Sequence, residues 1–182
     1  MCYNLAMNIL LTGTPGSGKT ALVDYTKELG DKRFVDTDYV EGLCEWREFE
    51  TGKVLGDVSD YKDAEKAGGD AWYKKYGWYW KLDFLKQFLA ENPNSIICGS
   101  SENIVDSYKY FDKIFILKKT EEELISNLNS PSRVNPFGKT PEQRKGFLKW
   151  QDYLIDEARK YNPIIIKGNV IANSYKLLVK SI

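Results

Sequence analysis

The sequence contains no histidine. That absence removes Ser-His-Asp and Cys-His nucleophile systems and every His-ligated metal centre, so acid–base chemistry falls to carboxylates, lysine, tyrosine or cysteine. Cysteine is scarce too. Cys2, Cys44 and Cys98 are odd in number and far apart, which gives neither a disulfide framework nor a zinc site. Net charge is missing as well, because 26 Lys and Arg balance 26 Asp and Glu. A balanced chain lacks the broad basic footprint of a nucleic-acid-binding protein and the electrostatic anchor of a membrane-surface protein. No apolar run approaches the roughly 20 residues of a membrane span. The start, MCYNLAMNILL, carries neither the basic region nor the small-residue cleavage site of a secretory signal, so the expected location is cytoplasmic. Repeats, low-complexity tracts and Gly/Ser/Pro-rich linkers are also lacking, and residues 1–182 read as a single domain.

What the chain does have is alternation. Short apolar runs are separated by helical patterns, the signature of an α/β domain built on a parallel sheet. Strands are expected at Asn8–Thr12, Arg33–Asp36, Ser95–Cys98, Lys113–Leu117 and Ile164–Ile166. A helix from Gly18 to Leu29 places Leu22, Tyr25 and Leu29 on one face. Residues from about 39 to 50 could be helical before Gly52, Gly56, Gly68 and Gly69 break the pattern, and Trp78, Leu82, Leu85 and Leu89 form a helical stripe that stops near Asn92-Pro93. Thr120 with Glu123 has the spacing of a capping box. So does Thr140 with Gln143, with Pro141 at the first helical position, where its missing N–H does no harm. The helix that follows carries Phe147, Trp150, Leu154, Ala158 and Tyr161 on one stripe, and a last helix carries Tyr175, Leu178, Val179 and Ile182. Strands with intervening helices in this order make a three-layer sandwich.

One motif carries chemistry. Gly13, Thr14, Pro15, Gly16, Ser17, Gly18, Lys19 and Thr20 match G-x-x-x-x-G-K-[ST] between an expected strand and an expected helix, with Ala21 next in the helix. Glycines let successive backbone N–H groups turn inward around phosphate oxygens, and the helix adds the positive end of its dipole. In such a loop Lys19 reaches the β- and γ-phosphates of ATP, and the Thr20 hydroxyl ligates Mg²⁺. Several nucleotide-hydrolysing classes drop out. There is no N-K-x-D to read guanine, and the strand Ile96-Ile97-Cys98 runs into Gly99-Ser100-Ser101 with no acid at its end. The carboxylates stand instead after the second strand, as Asp36-Thr37-Asp38.

Here the sequence resembles the small-molecule kinases of the adenylate kinase and shikimate kinase group. Phe34 to Glu41, F-V-D-T-D-Y-V-E, is similar to the F-x-D-[ST]-D-x-x-[IV]-E pattern of shikimate kinases at the matching distance from the phosphate loop. The resemblance implies a five-stranded parallel sheet in the order 2-3-1-4-5. It also implies that Asp36 supports the Mg²⁺ shell while Asp38 binds the acceptor hydroxyl beside the attacking oxygen. On an extended segment two residues apart, the two carboxylates point the same way. The other reading is that either one caps the next helix. The resemblance further implies a mobile lid at about 130–140, where Arg133 would neutralise the transferred phosphoryl group and Lys139 is a second candidate. Either could instead be an ordinary exposed cation.

Other parts depart from the group. Residues 52–81 contain no F-R-x-x-E to grip a substrate carboxylate, and the third strand is not followed by D-G-F-P-R. The acceptor-binding region is expected at about 38–81. It includes Trp72-Tyr-Lys-Lys-Tyr-Gly-Trp-Tyr-Trp80, which reads first as core and second as a surface for stacking a planar group. Gly99, Ser100 and Asn103 add small neutral groups that suit a hydroxyl-bearing acceptor, and Lys167-Gly168-Asn169 is a neighbour of the adenine by analogy. The expected activity is phosphoryl transfer from MgATP to a small hydroxyl- or phosphate-bearing acceptor, nucleoside, nucleotide or shikimate-like, by a monomer or homodimer. A nucleotide-binding regulatory module with slow ATPase activity is the alternative. A polynucleotide kinase is disfavoured by the zero net charge, and no membrane partner is expected.

Overall fold

The computed structural model describes residues 7–55, 70–131, 133, 138, 140–168 and 170–180. Lys139 and Asn169 lie outside them.

The central sheet is built from Ile9–Thr12 (β1), Phe34–Asp36 (β2), Ile96–Cys98 (β6), Lys113–Lys118 (β7) and Ile164–Lys167 (β8). All neighbours are parallel, in the order β2-β6-β1-β7-β8. This is the expected arrangement. Parallel strands covered on both faces are apolar at every position rather than every second one. In β1 all four residues are buried, with Leu10 pointing to one face and Ile9 and Leu11 to the other.

Each face has its own core. Leu10, Ile97, Ile114 and Ile116 pack with Leu85 and Leu89 from Leu82–Glu91 (α3), Ile104 from Ile104–Ser107 (α4), and Leu154 and Ala158 from Pro141–Ala158 (α6). Ile9, Leu11, Ile96, Phe115 and Ile166 pack with Leu22 and Val23 from Lys19–Glu28 (α1) and Leu178 from Ile171–Lys180 (α7). The result is three layers. Both capping boxes are present: Thr120 opens Glu121–Leu128 (α5), Thr140 opens α6, and in each the threonine oxygen and the third-position side chain satisfy backbone N–H groups reciprocally.

The middle of the chain differs from expectation. Residues 39–50 form no α-helix. Cys44–Glu48 (β3) pairs antiparallel with Val54–Leu55 (β4) and with Tyr76–Trp80 (β5), forming a second sheet in the order β4-β3-β5. On a strand Glu45 and Arg47 share a face, and they form an ion pair at 2.6 Å, while Trp46 turns to the opposite face and is buried. Trp78 likewise belongs to β5 rather than to a helical stripe, and the helix begins only at Leu82. Alternating aromatics favour the pleated surface, and a side chain from another segment fixes the strand end. Asn103 Oδ1 accepts from the Trp80 N–H at 3.0 Å, and its Nδ2 donates to the Trp80 carbonyl at 2.9 Å. Asp70–Lys75 (α2) leads into β5.

Candidate active site

β1 delivers the chain to a tight loop whose exit is the start of α1. Gly18 sits there at φ 97°, a left-handed conformation that favours glycine, and a Cβ at this position would meet nothing within 4 Å. The loop therefore opens onto free space. No side chain caps α1 and no acid stands in its first turn, so its leading N–H groups and positive dipole end are left to a ligand.

Lys19 lies within this cradle, and among the described residues no carboxylate forms an ion pair with it. Its Nζ donates to the carbonyls of Gly13 at 2.6 Å and Thr14 at 3.1 Å. Burial lowers its pKa from 10.5 to about 8, opposed by the charges of Asp38 and Asp36, while Arg133 lowers it further. Gly13 and Thr14 are themselves buried under the loop. Pro15, Gly16, Ser17, Gly18, Lys19, Thr20 and Ala21 line the cleft above it, with Thr20 and Ala21 exposed. Asn127 at the end of α5 donates to the Gly16 carbonyl at 2.9 Å, tying the loop to the helix that precedes the expected lid. Nothing in the sequence pattern marks Asn127 for this.

The acidic pair lines the same cleft. Asp36 ends β2 beside Cys98 of β6, and its Oδ1 accepts from the Asp38 N–H at 3.1 Å. Asp38 is therefore carried on a short 3₁₀ turn, Thr37–Tyr39, capped by Asp36, and the two are not on one extended run. Both reach the cleft. Burial raises both carboxyl pKa values, and for Asp36 the neighbouring Asp38 raises it further. Trp78 Nε1 donates to Asp38 Oδ1 at 3.2 Å and acts in the opposite sense, as does the charge of Lys19.

The turn under Asp38 is packed without slack. A Cβ on Gly99 would sit 2.0 Å from Thr37 Oγ1 and 2.8 Å from Trp80 Cζ2. Thr37 is fully buried. Gly99→Ala is thus expected to push the Asp38 turn away from the phosphate loop. It should destabilise the fold by about 1–3 kcal/mol, as overpacking does, measured by denaturant unfolding. Unchanged stability would mean that Thr37 yields freely.

Arg133 lines the same cleft, with its N–H on the Ser130 carbonyl at 3.0 Å. Trp46, Tyr73, Tyr76 and Trp78 form an aromatic wall of the cleft. The aromatic run is thus divided: Trp80 is core, whereas Trp78 faces the cleft. Gly99 and Ser100 also line it. Asn103, grouped with them from sequence, is instead occupied by its clamp on Trp80 and by the Ser101 hydroxyl at 3.1 Å. The cleft volume of about 1480 Å³ exceeds the roughly 300–1,000 Å³ of an ordinary single-ligand pocket.

A second, smaller cleft of about 300 Å³ lies at the ends of β7 and β8, lined by Lys118, Lys119, Thr120, Glu123, Lys167 and Gly168. The Lys119 ammonium donates to the Gly168 carbonyl, and the Lys119 backbone is held by the Gln151 side chain at 2.8 and 3.0 Å. These contacts give a rigid floor beside the segment expected to neighbour the adenine.

No family model matches the chain. A curated adenylate kinase isoenzyme 6 homolog of Plasmodium falciparum is 30% identical over 112 residues, 60% of this chain and 58% of that protein. The match thus spans less than two thirds of the relative's length. Among solved structures, shikimate kinase from Acinetobacter baumannii in complex with shikimate aligns at TM-score 0.55 with 11% identity, over 98% of this chain and 96% of its own. Deoxyadenosine kinase from M. mycoides with bound dATP aligns at TM-score 0.55 with 13% identity, over 96% and 98%. Shikimate kinase from Bacteroides thetaiotaomicron aligns at TM-score 0.51 with 20% identity, over 96% and 97%. The chain has the fold of the P-loop small-molecule kinases, the group that its phosphate loop and acidic pair resemble.

Proposed function

We propose that this chain is a kinase that transfers the γ-phosphoryl group of MgATP to a small hydroxyl-bearing acceptor. The observation that carries the reading is a single cleft lined by a lysine in an open glycine cradle and by a desolvated carboxylate pair.

The residues suit the groups they would hold. A half-buried ammonium whose hydrogen bonds go to the Gly13 and Thr14 carbonyls and the Ser17 hydroxyl suits the negative charge that a polyphosphate brings, and the uncapped start of α1 favours the same ligand. Among the described residues no group of three or more His, Cys, Asp or Glu is placed to hold a metal. A cation here would take the Thr20 hydroxyl and, through water, Asp36, and rest otherwise on phosphate oxygens, which is the habit of Mg²⁺. When bound, MgATP supplies the transferable phosphoryl group together with a metal charge that neutralises it.

The chain's own work is positioning and charge. Lys19 would balance the phosphate oxygens from inside the loop, and Arg133 would bring a second positive charge from the lid side. Asp38 would accept the hydrogen bond of the acceptor hydroxyl, orienting its oxygen and taking its proton as the bond to phosphorus forms. Closure of the segment around Arg133 would exclude water and suppress hydrolysis.

The test is ADP production from MgATP across nucleosides, nucleoside monophosphates, shikimate and simple sugars. The expected result is turnover well above the acceptor-free background with one class. A flat panel with intact ATP binding would instead support the regulatory ATPase reading.

A further inference from the structure

We propose that Trp78 is the platform of the acceptor site: its indole face receives a planar, uncharged ring that carries the hydroxyl to be phosphorylated, and its Nε1–H holds Asp38 toward that hydroxyl. The proposal rests on the phosphoryl-transfer reading above and specifies the acceptor that it leaves open.

Trp78 is half-buried on β5 and lines the cleft. Beside it on the neighbouring strand stands Trp46, paired with it in register, with ring centroids 5.1 Å apart. Trp72 and Tyr73 pack on Trp46 edge-on and tilted at 6.0 and 6.1 Å, so the platform is held in an aromatic cluster. Such a surface binds a ring by its faces at little entropic cost, because the cluster is already packed. The Trp46 Nε1–H is buried in this wall without an acceptor among the described residues.

The same indole reaches Asp38 Oδ1 at 3.2 Å, and Oδ2 makes no hydrogen bond among the described residues. A ring lying on Trp78 therefore places its substituents beside the free carboxylate oxygen.

Charge selects against anions. Of the arginines, Arg33 is paired with Asp31 at 2.7 Å, Arg47 with Glu45 at 2.6 Å and Arg159 with Asp156 at 2.9 Å. Arg144 donates to the Gly138 carbonyl at 2.9 Å. Arg133 lines the cleft, where its charge depresses Lys19. Next to Trp78, which is hydrogen-bonded to Asp38, the carboxylates Asp36 and Asp38 line the same cleft. An anionic substituent on a ring lying there would meet their repulsion.

The experiment has two arms on the full chain. In the first, ¹⁵N-indole NMR follows the Trp78 resonance, assigned through Trp78→Phe. It should differ between wild type and Asp38→Asn, because the donor's partner changes, and should move on addition of adenosine or pyridoxine but not of AMP or shikimate. A Trp78 resonance indifferent to Asp38→Asn and to both neutral rings overturns the proposal, whatever the enzyme's activity. In the second arm, kinetics separate the roles. Trp78→Phe keeps the ring but loses the N–H that orients Asp38, so KM for the neutral ring acceptor should change by less than about 3-fold while kcat falls by about 10-fold. Trp78→Leu, checked for folding by circular dichroism, should raise that KM by about 10-fold or more. A higher kcat/KM for AMP or shikimate than for every neutral ring overturns the proposal while sustaining the kinase. Ring binding at Trp78 with no phosphoryl transfer to any acceptor overturns the kinase reading and, with it, the role given to Asp38 here.

Discussion

Asp38→Asn is expected to lower acceptor-dependent turnover by about 10²–10⁴-fold, the range of a positioned general base, with ATP affinity essentially retained. The amide keeps an oxygen for the Trp78 N–H and nearly the same shape, so only charge and basicity are lost. The same variant should be more thermostable than the wild type at neutral pH. Burial raises the Asp38 pKa in the folded state, so the native chain holds this proton more tightly than the unfolded chain. Stability therefore falls as pH rises through the folded-state value and is recovered as pH drops below it. Removing the charge removes that cost. Calorimetric Tm and kcat measured on one preparation check both halves. A variant that lost activity together with stability would show that Asp38 holds the turn rather than the acceptor.

Lys19→Met should have the second large effect, about 10²–10³-fold in kcat, comparable to removal of one preorganised charge-stabilising donor. Its ATP affinity should also fall, since no other described cation lies within the loop. Here too function and stability oppose each other. The ammonium is depressed to about 8 against 10.5 for a free lysine, so the native state releases its proton before the unfolded state does. Wild-type stability should rise with pH across that interval relative to the variant, and the difference in Tm between them should narrow from pH 7.5 to 10. A constant difference would mean that Lys19 is not desolvated.

The parts of this molecule that were legible in the sequence are those whose signal is local. The phosphate loop is eight consecutive residues with one geometric purpose, and the five buried strands announce themselves because parallel strands are apolar throughout. Thr120 and Thr140 declare their helices in four residues each. The acidic pair was legible as residues but not as geometry, since the 3₁₀ turn that carries Asp38 depends on Asp36 folding back onto its N–H.

The antiparallel hairpin was not legible. Glu45, Trp46 and Arg47 fit a helical face as well as a strand, and the choice is made by partners far along the chain: Trp78 opposite Trp46, and Asn103 fastening Trp80. The same distance hid the functional side of the aromatic run. Trp78 and Trp80 look equivalent in sequence, yet one reaches the cleft and the other is fully buried. Asn127 was invisible for the same reason, as its contact with Gly16 spans 111 positions.

The most direct test of phosphoryl transfer is to follow the label from γ-³²P-ATP with the best acceptor of the panel, in wild type and Asp38→Asn side by side. The account predicts label on the acceptor in a one-to-one ratio with ADP formed, collapsing in the variant to a slow background. Label appearing only in inorganic phosphate, at a rate that the acceptor and Asp38→Asn leave unchanged, would contradict it.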